Sequence, residues 1–86
     1  MARYKVEVAK SVQKTLLKLP KKDVESIISS IEGLARNPYP DGCRKLRGED
    51  NVYRTRKGRY RIIYEVVDLD LIVLVLKVGH RKSIYR

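Results

Sequence analysis

Apolar and polar residues alternate at the start of the chain and then change to helical spacing. The segment RYKVEV (3–8) places an apolar side chain at every second position, which predicts a β-strand with one buried face. In AKSVQKTLLKLP (9–20), Val12, Leu16 and Leu19 recur at the spacing of a helix. The proline at the end of this segment marks the end of the first helix.

A second and more regular helical pattern covers residues 21–36. Its apolar residues recur three and four positions apart, so they form one stripe along the helix. Asn37 and Pro38 stop the pattern, because a residue that precedes proline is disfavoured in the helical conformation. The short gap between the two patterns predicts a helical hairpin, and NPYPDG (37–42) predicts a turn-rich loop.

Three strand patterns follow, over residues 52–57, 60–67 and 71–78. Gly58 supports a tight turn after the first of them, and the sequence DLD supports a turn before the last. The run LIVLVLKV is apolar on both faces, which indicates a central or nearly central strand. Links this short force the three strands into an antiparallel arrangement.

The order of these elements, β-α-α-β-β-β, predicts an α+β fold. We expect the two-helix hairpin of residues 9–36 to pack on one face of a mainly antiparallel four-stranded sheet. The strands of that sheet are residues 3–8, 52–57, 60–67 and 71–78. The other face of the sheet is then free to present side chains. The whole chain, residues 1–86, is expected to form a single domain, because its length supports only one small core.

The positive charge of the chain is concentrated in two short segments, and this distribution bears on the kind of partner that the protein binds. The formal net charge is +10. Residues 44–61 hold eight bases and two acids, and residues 77–86 hold four bases and no acid. If the apolar stretch between them forms a hairpin, the two basic segments meet in space. Such a surface favours a polyanionic partner, namely RNA, DNA, an acidic protein or an anionic membrane, and solubility alone is the simpler alternative.

Other bulk features point to the cytoplasm. Cys43 is the only cysteine, so no intramolecular disulfide is possible. The N-terminus lacks the apolar core of a signal peptide. The longest apolar run, residues 71–76, is too short to span a bilayer. We therefore expect a cytoplasmic protein without a membrane partner.

The inventory of chemical groups narrows the kinds of active site. The single histidine and the single cysteine lack the spacing of a metal site, and no phosphate-binding glycine motif is present, so we expect no metal and no cofactor. Many arginines, one histidine and six tyrosines remain. These groups suit cleavage of RNA by its own 2′-hydroxyl, which needs a base, an acid and stabilisation of charge on the phosphate.

The candidate residues for this chemistry lie close to the predicted hairpin. Arg54 and Arg56 share a face of their strand, and Arg61 begins the next strand. Together with the segment 80–86, they can lie on one open face of the sheet. Simpler explanations stay open: His80 is an ordinary surface residue, and the arginines form a solvated face. The residues alone thus predict a small basic α+β domain that binds nucleic acid.

Three segments of the sequence resemble the RelE/ParE superfamily of bacterial and archaeal toxins, and the RelE branch in particular. They are KLRG (45–48), VYRTRKGRYRIIYEV (52–66) and VLKVGHRKSIYR (75–86). The resemblance covers the whole chain. It implies a toxin that enters the ribosomal A site and cuts the bound messenger RNA without a metal. The partners it implies are the ribosome with its RNA, the messenger RNA, and a cognate antitoxin that holds the toxin inactive.

The resemblance also assigns roles to individual residues. Two arginines are expected to stabilise charge on the phosphate, a tyrosine to stack on or hydrogen-bond to the cut nucleotide, and a histidine to carry a proton. This catalytic set consists of Arg61, Arg81, Tyr85 and His80. The paired basic residues that the family has after the LRG motif fall on Arg54 and Arg56. The expected RNA-binding residues are Lys45, Arg47, Arg54, Arg56, Lys57, Arg59 and Lys82.

Two alternatives stay open within the same superfamily. The ParE branch inhibits DNA gyrase by binding and lacks the RNA-cutting residues, and a degenerate relative binds RNA without activity. The presence of Arg61, Arg81 and Tyr85 together favours the RelE branch over the ParE branch. Related toxins use a glutamate as the base, and no counterpart of it is found near Arg44, so the base is not assigned.

Overall fold

The computed structural model describes residues 3–80, and these form two α-helices and a five-stranded sheet. Helices α1 (Lys10–Leu17) and α2 (Lys21–Leu34) form the hairpin that the sequence predicts. The strands are β1 (Lys5–Val8), β2 (Arg44–Lys45), β3 (Val52–Lys57), β4 (Tyr60–Val67) and β5 (Ile72–His80). The predicted α+β class is confirmed.

The sheet is mixed and has the strand order β1-β5-β4-β3-β2. β1 runs parallel to β5, and all other neighbours are antiparallel. The sequence predicts four strands, and the structure has a fifth, because β2 is two residues long and too short to show an alternating pattern. The apolar run of β5 lies next to the central strand β4, as predicted. β5 also continues to His80, beyond its predicted end at residue 78.

Both helices pack on one face of the sheet and bury its apolar side chains. α1 contacts β5, and α2 contacts β1 and β3. Burying a large aliphatic side chain stabilises the fold by about 1.5–3 kcal/mol, so this layer holds the sheet and the helices together. The core consists of Val12, Ile27, Ile31, Leu34, Ile62, Tyr64, Val66, Val73, Val75 and Val78.

A β-bulge in β5 changes the face on which its last residues lie. The register with β4 is interrupted between Ile63 and Tyr64, where Leu76 is the extra residue of β5. Side chains that lie directly opposite each other in an antiparallel pair share a face. Beyond the bulge, Val78 therefore lies on the helix-covered face, where it is buried, and Lys77 lies on the other face.

Tyrosine hydroxyls fix the loops at one end of the sheet. Tyr4 donates a hydrogen bond of 2.5 Å to Asp68, and Tyr39 donates to the same carboxylate at 2.9 Å. This carboxylate therefore joins the start of the chain, the loop after α2 and the turn between β4 and β5. Tyr64 is fully buried and donates to the carbonyl oxygen of Pro38 at 2.7 Å. The predicted loop 37–42 is thus held against the core.

Candidate nucleic-acid interface

The candidate interface is built on the hairpin of β3 and β4. Gly58 and Arg59 form its two-residue turn, and Gly58 has a φ of 60°, a conformation that favours glycine. The turn fixes a register in which Arg56 lies directly opposite Arg61. Because Ile62 faces the core, Arg61 faces the side of the sheet that carries no helix. We call this side the open face.

Cross-strand pairing arranges the side chains of the open face in rows that run across the strands. Neighbouring strands are about 4.8 Å apart, and successive rows are about 6.6 Å apart along the strands. Five cations therefore fall within a patch of ~14 Å by ~7 Å. We call these two rows the cationic rows. The first row consists of Arg44, Arg54, Ile63 and Lys77, and the second row consists of Arg56, Arg61 and Gly79.

Two pairs of arginines lie directly opposite each other in the cationic rows. Arg44 faces Arg54 across β2 and β3, and Arg56 faces Arg61 across β3 and β4. Like charges in directly opposite positions destabilise a sheet. Within residues 3–80, no acid forms an ion pair with Arg44, Arg54 or Arg56. An anion bound between the arginines would offset this local cost.

Arg61 differs from the other cations of the rows because it is buried. Its side chain is 8% exposed, and it interacts with other groups of the protein. A guanidinium keeps its charge at every pH that proteins experience, so the fold holds a permanent positive charge in a partly desolvated position. A charge that is fixed in place and shielded from water stabilises a developing negative charge better than a mobile surface charge does.

The other predicted RNA-binding residues do not all share the open face. Two lysines lie at the exposed margin of the helix-covered face, because their register partners on the neighbouring strands are tyrosines that pack against the core. Two arginines are exposed, one in the loop before β3 and one in the hairpin turn. These four residues are Lys45, Lys57, Arg47 and Arg59. Arg54 and Arg56 are the predicted RNA-binding residues that the fold brings together with Arg61.

His80 lies on the face opposite to Arg61. Its register partner is Tyr60, and the two ring centroids are 6.2 Å apart. Tyr60 donates a hydrogen bond of 2.7 Å to Asp23 of α2, which marks this side as the helix-covered one. That hydrogen bond is the main cause that raises the pKa of Tyr60. The sequence allows His80 to lie on the open face with Arg61, and the bulge at Leu76 is the reason that the structure differs.

Two cations of the rows are absent from the predicted site, and each has a structural reason. Arg44 belongs to the two-residue strand β2, which the sequence does not reveal. Lys77 reaches the open face only because the bulge precedes it. The charge of the segment 44–61 was a signal for Arg44, whereas no pattern in the sequence marks the bulge. The predicted residues Arg81, Lys82 and Tyr85 lie outside the described residues.

Residues 3–80 contain neither a metal-binding cluster nor a membrane-spanning helix. No group of three or more His, Cys, Asp or Glu side chains in this range is arranged to hold a metal ion. Neither α1 nor α2 is long and apolar enough to cross a membrane.

Comparisons with known proteins give a consistent result. Residues 6–85 match a family model described as "ParE toxin of type II toxin-antitoxin system, parDE". A protein of Methanocaldococcus jannaschii named as toxin RelE1 is 34% identical over 87 residues, which cover 98% of this chain and 97% of that protein. Toxin RelG of Mycobacterium tuberculosis is 31% identical over 84 residues, which cover 96% and 97% of the two chains.

The fold leads to the same group of proteins. A chain of the archaeal RelE-RelB complex from Pyrococcus horikoshii OT3 superposes with a TM-score of 0.83 and 33% identity, covering 96% of this chain and 99% of that chain. The family model and the named relatives both span nearly the whole chain. This chain therefore belongs to the RelE/ParE superfamily of type II toxin-antitoxin toxins, and its relatives support the RelE branch.

Proposed function

We propose that this toxin cleaves messenger RNA in the ribosomal A site by attack of the RNA's own 2′-hydroxyl, without a metal, and so inhibits translation. The observation that carries the proposal is the Arg56–Arg61 pair, in which a buried arginine directly faces an exposed one on the open face. Family membership supports the toxin class. The surface charge supports RNA as the target.

The proposed reaction assigns a task to each arginine of the pair. The 2′-oxygen attacks the adjacent phosphorus, its proton passes to a base, and the bond from phosphorus to the 5′-oxygen breaks as that oxygen takes up a proton. The products are a 2′,3′-cyclic phosphate and a 5′-hydroxyl. Negative charge builds up on the phosphate oxygens between these steps. Arg61 and Arg56 each offer parallel N–H donors that match those oxygens.

The residues at the end of the chain complete the proposed site. Arg81 would act beside Arg61 on the phosphate, and Tyr85 would stack on or hydrogen-bond to the cut nucleotide. His80 would carry a proton, because an imidazole ring can both accept and donate one. Since His80 lies on the helix-covered side, the proposal requires the RNA to reach it around the end of β5.

The ribosome is proposed as the partner that positions the substrate. A site with few acid-base groups gains most from a bound message that is already held in a reactive geometry. The net charge of +10 supports binding to ribosomal RNA, and this binding should weaken steeply with salt. The proposal places the protein in the cytoplasm, where ribosomes translate.

A cognate antitoxin is proposed as the second partner, in line with the RelE-RelB complex named above. A groove of about 520 Å³ lies between β1 and α2. Val6 and Ile31 supply apolar lining, and Arg3 and Arg36 supply two positive charges against the single carboxylate of Glu32. A segment that combines apolar residues with acids fits this groove. Replacing Arg36 by Glu should weaken recovery of a small acidic partner from the native host, and unchanged recovery would count against the groove.

The proposed activity is tested on ribosomes that carry a defined message. The parent protein should cut the message at the A site, and Arg61→Ala should reduce the cleavage rate about 10²–10³-fold, because one charge-stabilising group is lost. Arg61→Met keeps most of the buried stem and removes the charge, so it separates catalysis from folding. Arg81→Ala, Tyr85→Phe and His80→Ala test the other proposed residues.

The control for this test is Arg36→Ala, which removes an exposed arginine on the helix-covered side and should cut at the parent rate. Thermal melting should confirm that each variant is folded. Parent rates for both Arg61→Ala and Arg81→Ala would exclude the proposed mechanism. Rapid cutting of free RNA that requires Mg²⁺ would contradict both the ribosome dependence and the metal independence.

One specific observation favours a second candidate. The matching family model is described as a ParE toxin. The resemblance to the ParE branch implies inhibition of DNA gyrase without cutting of RNA. A DNA supercoiling assay separates the two functions, because a ParE-like protein should block gyrase and leave the message intact. A protein that does neither is a degenerate relative.

A further inference from the structure

We propose that Arg44 and Lys77 bind the RNA phosphates on either side of the cleaved one, so that the RNA backbone runs across the strands of the sheet. This inference rests on the proposed function, since it extends the same RNA-binding surface. The two residues occupy the ends of the first cationic row, on β2 and β5. Both are exposed and therefore accessible to a ligand.

The position of the two cations relative to the Arg56–Arg61 pair is the first argument. The pair lies on β3 and β4, whereas Arg44 lies one strand beyond on one side and Lys77 one strand beyond on the other. The ends of the first row are about 14 Å apart. A strand of RNA whose cleaved phosphate lies at the pair therefore passes one cation before it and one after it. Both side chains are long enough to follow the backbone.

The distribution of acids is the second argument, because it sets the direction of the path. The first cationic row lies between the second cationic row and a further row of the open face. This further row consists of Val52, Glu65, Leu74 and Glu7. This row holds two carboxylates and no base, and Glu7 forms an ion pair at 3.8 Å with Lys5, which lies beyond the row. A polyanion that followed the strands would meet these carboxylates, whereas a path along the cationic rows avoids them. The open face thus favours binding across the strands.

The local structure around the two residues is the third argument. Arg44 is held directly opposite Arg54, although like charges in this position destabilise the sheet. Lys77 is brought into the row by an irregularity that interrupts β5. Ile63 lies between Arg54 and Lys77, and its aliphatic side chain carries no charge that would neutralise the row. The Arg44–Arg54 pairing costs stability and the bulge before Lys77 costs regularity, and both add positive charge to the same row.

The test measures binding of RNA that the protein has no means to cleave. The probe is a fluorescent oligouridylate of about twelve nucleotides with 2′-O-methyl groups, which removes the attacking hydroxyl. Each phosphate contact contributes about 0.7 to the slope of log K against log salt for a single strand. The double variant Arg44→Gln, Lys77→Gln should therefore lose about 1.4 of the parent slope. Its matched control, Lys14→Gln with Lys22→Gln, removes the same charge at exposed positions of α1 and α2, on the helix-covered side, and should lose little.

A kinetic measurement gives an independent check on programmed ribosomes. Contacts to flanking phosphates exist before and during the reaction, so their loss should raise KM and leave kcat within about twofold of the parent value. Arg61→Ala should instead lower kcat. Arg44→Gln also relieves repulsion with Arg54, so the double variant should melt no lower than the parent, and weak binding then does not reflect unfolding.

Several results would overturn the inference. One is a loss of slope in the double variant equal to that of the control, and another is no binding of the probe by the parent protein. A loss of slope with polyglutamate but not with the RNA probe would instead assign the first cationic row to an acidic protein partner. The proposed function fails separately, if Arg61→Ala and Arg81→Ala both cleave at the parent rate. If Arg61→Ala shows the expected loss of cleavage and the double variant keeps the parent salt slope, only this inference is removed.

Discussion

The Arg56–Arg61 pair predicts that a substitution in the site makes the protein more stable and less active. Arg56 is exposed and lies directly opposite the buried Arg61, and both carry a full positive charge. Replacing Arg56 by Gln keeps a polar side chain of moderate length on the strand and removes the repulsion. The same change removes one of the two proposed phosphate contacts, so folding and function should respond in opposite directions.

The size of the stabilisation follows from the geometry of the pair. Side chains directly opposite in an antiparallel sheet have Cβ atoms about 5 Å apart, and two extended guanidinium groups lie slightly farther apart. Two unit charges at ~6 Å repel each other by about 0.7 kcal/mol in the dielectric of water, which is the suitable one for an exposed partner. For a domain of this length, that difference raises Tm by about 3–5 °C.

Urea denaturation and thermal melting measure this effect, and salt identifies its cause. The Debye length falls from about 10 Å in 0.1 M salt to about 3 Å in 1 M salt. The advantage of Arg56→Gln should therefore be clear at low salt and nearly absent at high salt, with an unchanged m-value. Lys22→Gln is the control, because it lowers the net charge of the protein by one, as Arg56→Gln does, but at an exposed position away from the open face.

Two outcomes would refute the reasoning about the pair. If Arg56→Gln melts below the parent at low salt, Arg56 stabilises the fold through some other contact and is not held against repulsion. If it melts higher by the same amount as Lys22→Gln, the gain comes from net charge and not from the cross-strand pair. Unchanged cleavage on ribosomes would separate Arg56 from the proposed site, even if the stability prediction holds.

The remaining predictions concern the tyrosines. Tyr64→Phe should lower the free energy of unfolding by about 1–3 kcal/mol in urea, because the buried carbonyl oxygen of Pro38 loses its hydrogen bond, and unchanged stability would contradict this. The hydrogen bond to Asp68 raises the pKa of Tyr4 above its usual 10.0, so Tyr4 loses its proton at a lower pH in the unfolded chain than in the folded protein. Stability should therefore fall as the pH rises above 10. Asp68→Asn should make this alkaline loss shallower in pH-dependent melting, and an unchanged slope would show that the carboxylate does not control the titration of Tyr4 or Tyr39.

The sequence predicts the fold well wherever one periodicity continues over many residues. The helical stripe of residues 21–36 corresponds to α2, and the apolar run after residue 70 corresponds to β5 beside the central strand. The parallel pairing of β1 with β5 was not predicted, because short links determine the pairing of neighbouring strands and the long helical connection does not. The two-residue β2 exists only through its pairing with β3, so no local pattern marks it.

The candidate site is predictable from the sequence to the extent that its residues follow strict alternation. Arg54 and Arg56 are two positions apart on one uninterrupted strand, and Arg61 follows a two-residue turn, so their common face is confirmed. His80 and Lys77 follow the bulge, and a single extra residue exchanges the faces of everything beyond it. Alternation counted through Leu76 therefore assigns both residues to the wrong face.

The same bulge explains how one strand, β5, serves both the core and the proposed site. Strict alternation from the buried Val75 would place Lys77 among the core residues and Val78 on the open face. The bulge reverses both assignments, so Val78 is buried and Lys77 joins the first cationic row. An apolar residue and a base thus exchange places at the cost of one irregular pairing. Because the exchange also turns His80 away from Arg61, the buried positive charge and the imidazole lie on opposite faces at this end of the sheet. In the proposed mechanism, stabilisation of the phosphate therefore falls to the arginines of the open face, and any proton transfer by His80 depends on RNA that extends past the end of β5.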